Sequence, residues 1–165
     1  MSKILIIDDE NDICFLISEI LNDENFICQT ANNSKDALVK YNNFNPDLII
    51  LDVWLGNSEF DGIELLEKFK NLNPLIPIII ISGHGTVNMA VNAIKKGAYD
   101  FLEKPFNSEK LIITSKRALQ SAILIKENNK LKSIVNPIIP LVGHSNFVLQ
   151  LKKNMSQIIT ITFII

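Results

Sequence analysis

Five short apolar runs, each closing on polar residues, constrain this chain more than any other feature. Lys3 to Ile7 closes on Asp8-Asp9-Glu10. Phe26 to Thr30 is a second, weaker run. Leu48 to Leu51 runs straight into Asp52. Pro77 to Ile81 ends at Ser82, and Tyr99 to Leu102 leads into Glu103-Lys104-Pro105-Phe106. Continuous apolar runs bounded by turn residues read as strands covered on both faces. Between them lie segments with apolar residues at helical spacing: Ile13, Leu16, Ile17, Ile20 and Leu21; Ala37, Leu38 and Tyr41 after a capping Ser34; Ile63, Leu65, Leu66, Phe69 and Leu72; and Val87 to Lys96, stopped by Gly97. Asn11-Asp12 favour a helix start. The last helix begins near Asn107 or Ser108. Strand and helix alternate five times, which predicts an α/β fold: a doubly wound five-stranded parallel sheet with right-handed crossovers and a long C-terminal helix. The expected strand order is 2-1-3-4-5, with its switch point between strands one and three.

A carboxylate at the carboxyl end of a buried strand is not placed for packing. In open α/β sheets that edge is where ligands and chemistry sit. Asp8, Asp9 and Asp52 converge on it by this topology. Gathered carboxylates raise one another's pKa, and a hard divalent cation relieves the repulsion. Magnesium prefers octahedral oxygen ligands and is commonly held by one or two carboxylates together with phosphate oxygens. Aspartate is a known phosphoryl acceptor. Lys104 offers a compact positive charge and Ser82 a hydroxyl donor, each at a strand end.

Composition closes off other classes. Hydrophobic residues make up 47% of the 165, enough for a substantial core, and the net charge of -2 gives no global attraction to nucleic acid. Cys14 and Cys28 form no CxxC pair, so they read as reduced core thiols of a cytoplasmic protein. The N-terminus has no signal-peptide pattern, and no apolar run reaches the roughly 20 residues needed to span a bilayer.

Four motifs taken together carry a family resemblance. Ile6-Ile7-Asp8-Asp9-Glu10, Leu51-Asp52, Ile81-Ser82-Gly83 and Glu103-Lys104-Pro105-Phe106 resemble the signature of two-component response-regulator receiver domains, at the family's usual intervals. The match covers about residues 1–122. It implies that Asp52 is the phosphoacceptor (4-aspartylphosphate), with Lys104 and Ser82 completing the catalytic set. Mg2+ would be held by Asp8, Asp9, Asp52 and the backbone carbonyl of Trp54. Ser82 and Phe101 would be the switch residues, and Lys104-Pro105 a cis peptide. Asp52-Val53-Trp54-Leu55, Ser82 to Thr86 and Lys96 to Phe106 are similar to the nitrogen-regulation NtrC class. The segment Gly56 to Asp61 is longer than usual and lacks the common proline, which resembles the NtrX branch.

Plainer readings stand beside these. Ser82 also suits a cap of the following loop. Phe101 also suits the core, and without a hydroxyl it would switch by packing alone. His84 reads as a loop residue and Trp54 as a cover for the site.

Ser108 to Lys132 reads as one helix, with an inner stripe of Leu111, Ala118, Ala122 and Ile125 and a polar outer part. The expected division is a receiver domain over 1–122, a helical linker over 123–140, and over 141–165 a remnant similar to the opening of an AAA+ domain. Asn136-Pro137 would break the helix, and the apolar tail Ile158 to Ile165 would be disordered, loosely docked or aggregation-prone. No GxxxxGK phosphate loop is present, so the chain reads as a truncated regulator with no direct nucleic-acid binding and no membrane association.

The expected function is phosphoryl acceptance from a sensor histidine kinase followed by a conformational switch, without enzymatic turnover beyond slow autodephosphorylation. A homodimer through the fourth helix, fifth strand and linker helix is the accompanying expectation. The rival is a non-phosphorylated module that titrates a kinase or partner. A phosphatase-like hydrolase is disfavoured because Trp54 stands where a DxD acid-base partner would.

Overall fold

The computed structural model describes residues 1–56, 58–83 and 86–135, with side-chain surroundings given as far as residue 132. The expectations for His84, for the break at Asn136-Pro137 and for 141–165 lie outside the described residues. Residues 1–128 form one compact unit, with the division to the next unit falling inside the last helix.

The elements alternate strictly. β1 is Lys3–Ile7, α1 Asn11–Asp23, β2 Ile27–Ala31, α2 Ser34–Phe44 and β3 Leu48–Asp52. α3 is Gly62–Leu72, β4 Ile78–Ser82, α4 Val87–Lys95, β5 Asp100–Glu103 and α5 Ser108–Val135. The sheet is parallel throughout, in the order β2-β1-β3-β4-β5. This is the expected doubly wound fold.

Alternation along each strand sorts the core into two layers. Leu5, Ile7, Ile49, Leu51, Ile78 and Ile80 pack with Ala37, Leu65, Leu66, Phe69 and Ala93 on one face. Ile4, Ile6, Ile50, Ile79, Ile81 and Leu102 pack with Cys14, Ile17, Leu21, Leu111 and Ala118 on the other. Every residue of β3 and β4 is buried, as strands covered on both sides require. β2 is an edge strand with alternating exposure, which explains its weaker pattern. Strands β2, β4 and β5 each begin one residue later than their apolar runs suggest.

Some helix positions differ from the sequence reading. In α1 the inward stripe is Cys14, Ile17 and Leu21, and Leu16 is 51% exposed beside an exposed Phe15. Leu72 is exposed because α3 ends there, past its last contact with the sheet. Ile125 is also exposed, so the buried stripe of α5 stops at Ala122. Asn33, not Ser34, caps α2, its side chain accepting the Asp36 amide at 2.9 Å. Cys14 is buried and Cys28 half-buried, and burial pushes both thiols up to about 11. Burial therefore favours the protonated thiol at both positions.

Helix α3 opens on a capping box. The Asp61 carboxylate accepts the Glu64 amide at 2.8 Å, and the Glu64 carboxylate accepts the Asp61 amide at 3.1 Å. Asp61→Ala is expected to lower stability by about 1 kcal/mol, measured by urea denaturation. No change would mean that water replaces the cap at no cost.

Candidate phosphoacceptor site

Register brings the acidic residues together. Ile7 pairs with Leu51, so the residues that follow, Asp8 and Asp52, emerge side by side from the two central strands. Ser82 pairs with Glu103, which sets Lys104 at the same rim. Oxygens of Asp8, Asp9 and Asp52 all lie within 4.8 Å of one another. Asp8 and Asp52 are buried; Asp9 is exposed.

Lys104 is the counter-ion of this cluster. Its Nζ donates to Asp8 Oδ2 at 2.7 Å and stands 3.3 Å from Asp52 Oδ1 and 3.6 Å from Glu10 Oε1. The ammonium thus lies closer to Asp8 than to Asp52. Asp52 Oδ2 accepts the Trp54 amide at 3.0 Å, whereas buried Oδ1 has no hydrogen-bond partner, its contact with Lys104 being ionic only. Burial, and then the charge of Asp8, push the Asp52 carboxyl up to about 6, against the pull of Lys104. Burial also raises Asp8, despite its hydrogen bonds from Lys104 and the Glu10 amide. For Lys104, burial opposes the charge, but the hydrogen bond to Asp8 and the charge of Asp52 outweigh it and raise its pKa.

Ser82 is fully buried at the end of β4, and its carbonyl accepts the Lys104 amide at 2.8 Å. Phe101 is half-buried and packs against the core layer that holds α3 and α4. It lines a groove with Ala90, Val91 and Ile94 of α4. Trp54 is 57% exposed, while its backbone amide holds Asp52. The Lys104-Pro105 peptide is cis.

Three contacts were not legible in the motifs. The Gly56 amide donates to Asp9 Oδ2 at 3.0 Å. Asn32 Nδ2 donates to the Asp8 carbonyl at 3.0 Å, steadying the strand end. Gly62 begins α3 directly against β3: a Cβ there would stand 2.0 Å from the Asp52 carbonyl oxygen. An Asp-Gly pair three residues before Glu64 is a helix-start signal that points to this position. Nothing in the sequence pattern points to Gly56 or Asn32.

The donor set fits a hard divalent cation. It consists of carboxylate oxygens, and one of them is buried with no hydrogen bond of its own.

Comparison with known proteins decides the family. The pattern described as "Response regulator receiver domain" matches residues 4–116, most of the chain. The chain belongs to the response regulator receiver family. It is 43% identical over 155 residues to the nitrogen assimilation regulatory protein NtrX of Azorhizobium caulinodans, covering 94% of this chain and 34% of that protein. This receiver chain therefore spans about a third of the length of that curated relative. The crystal structure of the receiver domain of NtrX from Brucella abortus superposes with a TM-score of 0.69 at 46% identity, over 71% of this chain and 98% of that one. The beryllofluoride-activated NtrC4 receiver domain dimer gives a TM-score of 0.69 at 39% identity, over 74% and 99%. The receiver is thus of the NtrX-like kind within two-component response regulators. No helix among its described residues is long and apolar enough to cross a membrane.

Proposed function

We propose that Asp52 accepts a phosphoryl group from a sensor histidine kinase and that Asp8, Asp9, Asp52 and the Trp54 carbonyl hold Mg2+ for that transfer. The supporting observation is Asp52 Oδ1: buried, without a hydrogen bond, and gathered with two other carboxylates beside Lys104. A bound Mg2+ supplies neutralisation of the charge on the transferring phosphoryl group. The chain's own residues do the rest. The Trp54 amide orients the Asp52 carboxylate by holding Oδ2. An oxygen–phosphorus bond forms at Asp52 as the phosphorus–nitrogen bond to the donor imidazole breaks. Lys104, already between Asp8 and Asp52, turns to the added phosphoryl oxygens, and the Ser82 hydroxyl follows them. The aspartyl phosphate adds roughly -1.5 to -2 charge at the rim, by analogy with other phosphorylated side chains.

The output face is α4 with β5. Val87, Val91 and Ile94 are exposed along α4, and Phe101 lies at the groove beside them. A second copy of the chain is the proposed occupant, in keeping with the dimer formed by the NtrC4 receiver. Switching of this kind needs two states separated by only a few kcal/mol.

Beryllofluoride or acetyl phosphate with Mg2+ tests the reading. The wild type should shift in Trp54 fluorescence and in oligomeric state, and Asp52→Asn should do neither. An unresponsive wild type rejects phosphoryl acceptance. Kinase binding that persists in Asp52→Ala without any such response would favour the interaction-module alternative.

A further inference from the structure

The segment between β3 and α3 touches two of the three carboxylates through backbone amides: Trp54 N–H on Asp52 and Gly56 N–H on Asp9. It lacks the proline that would stiffen it, so its conformation must be held by contacts. Those contacts converge on Ser34. Ser34 is 1% exposed and is the first residue of α2, whose early amides have no partner within the helix. Its N–H donates to Ser58 Oγ at 3.2 Å, and its own Oγ accepts the Phe60 amide at 3.4 Å. The Ser58 amide turns back to the Leu55 carbonyl at 3.3 Å, and Leu55 is buried. Beyond Ser58, Lys68 Nζ sits 3.9 Å over the Phe60 ring and pins that end to α3.

We infer that Ser34 and Ser58 form a hydroxyl clasp that positions the β3–α3 segment, and through the Gly56 amide the Asp9 carboxylate, for divalent-cation binding beside Asp52. The inference rests on the metal site proposed above. Neither serine meets the cation, so both are positioning residues. Without the clasp the segment must be ordered when the cation binds, at the cost of its conformational entropy. Partners that orient a ligating carboxylate typically contribute tenfold or more in metal affinity.

The test is a MgCl2 titration of the full 165-residue chain, read by the fluorescence of Trp54, its single tryptophan. Ser34→Ala and Ser58→Ala should each need about tenfold more Mg2+ for half-saturation. Ser58→Thr keeps the hydroxyl and should stay within about twofold of the wild type by the same reasoning. Amide exchange separates positioning from damage. In metal-free alanine variants the Gly56 and Phe60 amides should exchange faster, while those of Leu5 and Ile50 keep their protection. Wild-type saturation with unchanged alanine variants overturns the clasp and leaves the metal site standing. Loss of protection at Leu5 and Ile50 in step with Gly56 also overturns it, because the effect is then general unfolding. A wild type that does not respond to Mg2+ overturns the metal site itself, and the clasp with it.

Discussion

Asp52→Asn should stabilise the metal-free protein at neutral pH, by up to about 3 kcal/mol. The folded protein holds the Asp52 carboxyl at about 6, above its ordinary 3.8, because burial and the Asp8 charge disfavour ionisation. Each pKa unit corresponds to about 1.4 kcal/mol. The sign follows from proton binding: between about pH 4 and 6 the folded state binds more protons at this group than the unfolded chain does. The contribution of Asp52 is therefore fully present below about pH 4 and is lost as pH rises through 6. Asparagine keeps an oxygen for the Trp54 amide and never ionises. Urea denaturation in chelator should show the variant ahead of the wild type at pH 7, with the gap closing toward pH 4. Added Mg2+ should narrow the gap at pH 7 by stabilising the wild type, as any ligand of the folded state does. Stabilities that coincide across the whole range would show that Asp52 carries no such electrostatic cost.

Gly62→Ala should unfold or nearly unfold the chain, costing about 3 kcal/mol or more. The added Cβ would meet backbone, not a movable side chain: the Asp52 carbonyl oxygen at 2.0 Å and Val53 Cα at 2.7 Å. The Gly62 amide also donates to the Val53 carbonyl at 2.9 Å, so helix and strand cannot separate without losing that bond. Gly83→Ala is the control, since nothing lies within 4 Å of a Cβ built there. Its stability should change by no more than about 0.5 kcal/mol. Equal thermal midpoints for Gly62→Ala and wild type would mean that α3 can slide along β3, and the account of this contact would be wrong. The same close approach fixes the peptide that carries Asp52.

Much of this was readable from residue order. The apolar runs marked the strands because a doubly covered strand has no polar face to show. The four motifs at strand ends marked Asp8, Asp52, Ser82 and Lys104 because a parallel sheet brings all carboxyl ends to one rim. Misreadings fell where helical spacing alone is ambiguous. Leu16 and Leu72 share the spacing of the buried stripe but lie outside it, because Cys14 takes the inward position in α1 and α3 runs out at Leu72. Asn33 and Ser34 are both competent caps, and neighbouring backbone alone assigns one to the helix and the other to the β3–α3 segment.

Alternation of continuous apolar strands with amphipathic helices sufficed to indicate the doubly wound sheet and the rim on which the acids gather, since right-handed crossovers bring every strand's carboxyl end to one edge. Distances across the fold did not follow from it. Lys104 favours Asp8 over Asp52 although 96 positions separate it from Asp8. The Gly56 amide reaches Asp9 across 47 positions, and Ser34 reaches Phe60 across 26. Such contacts are won by packing of whole elements, where tenths of an ångström choose the partner, and no local pattern of residues encodes that choice.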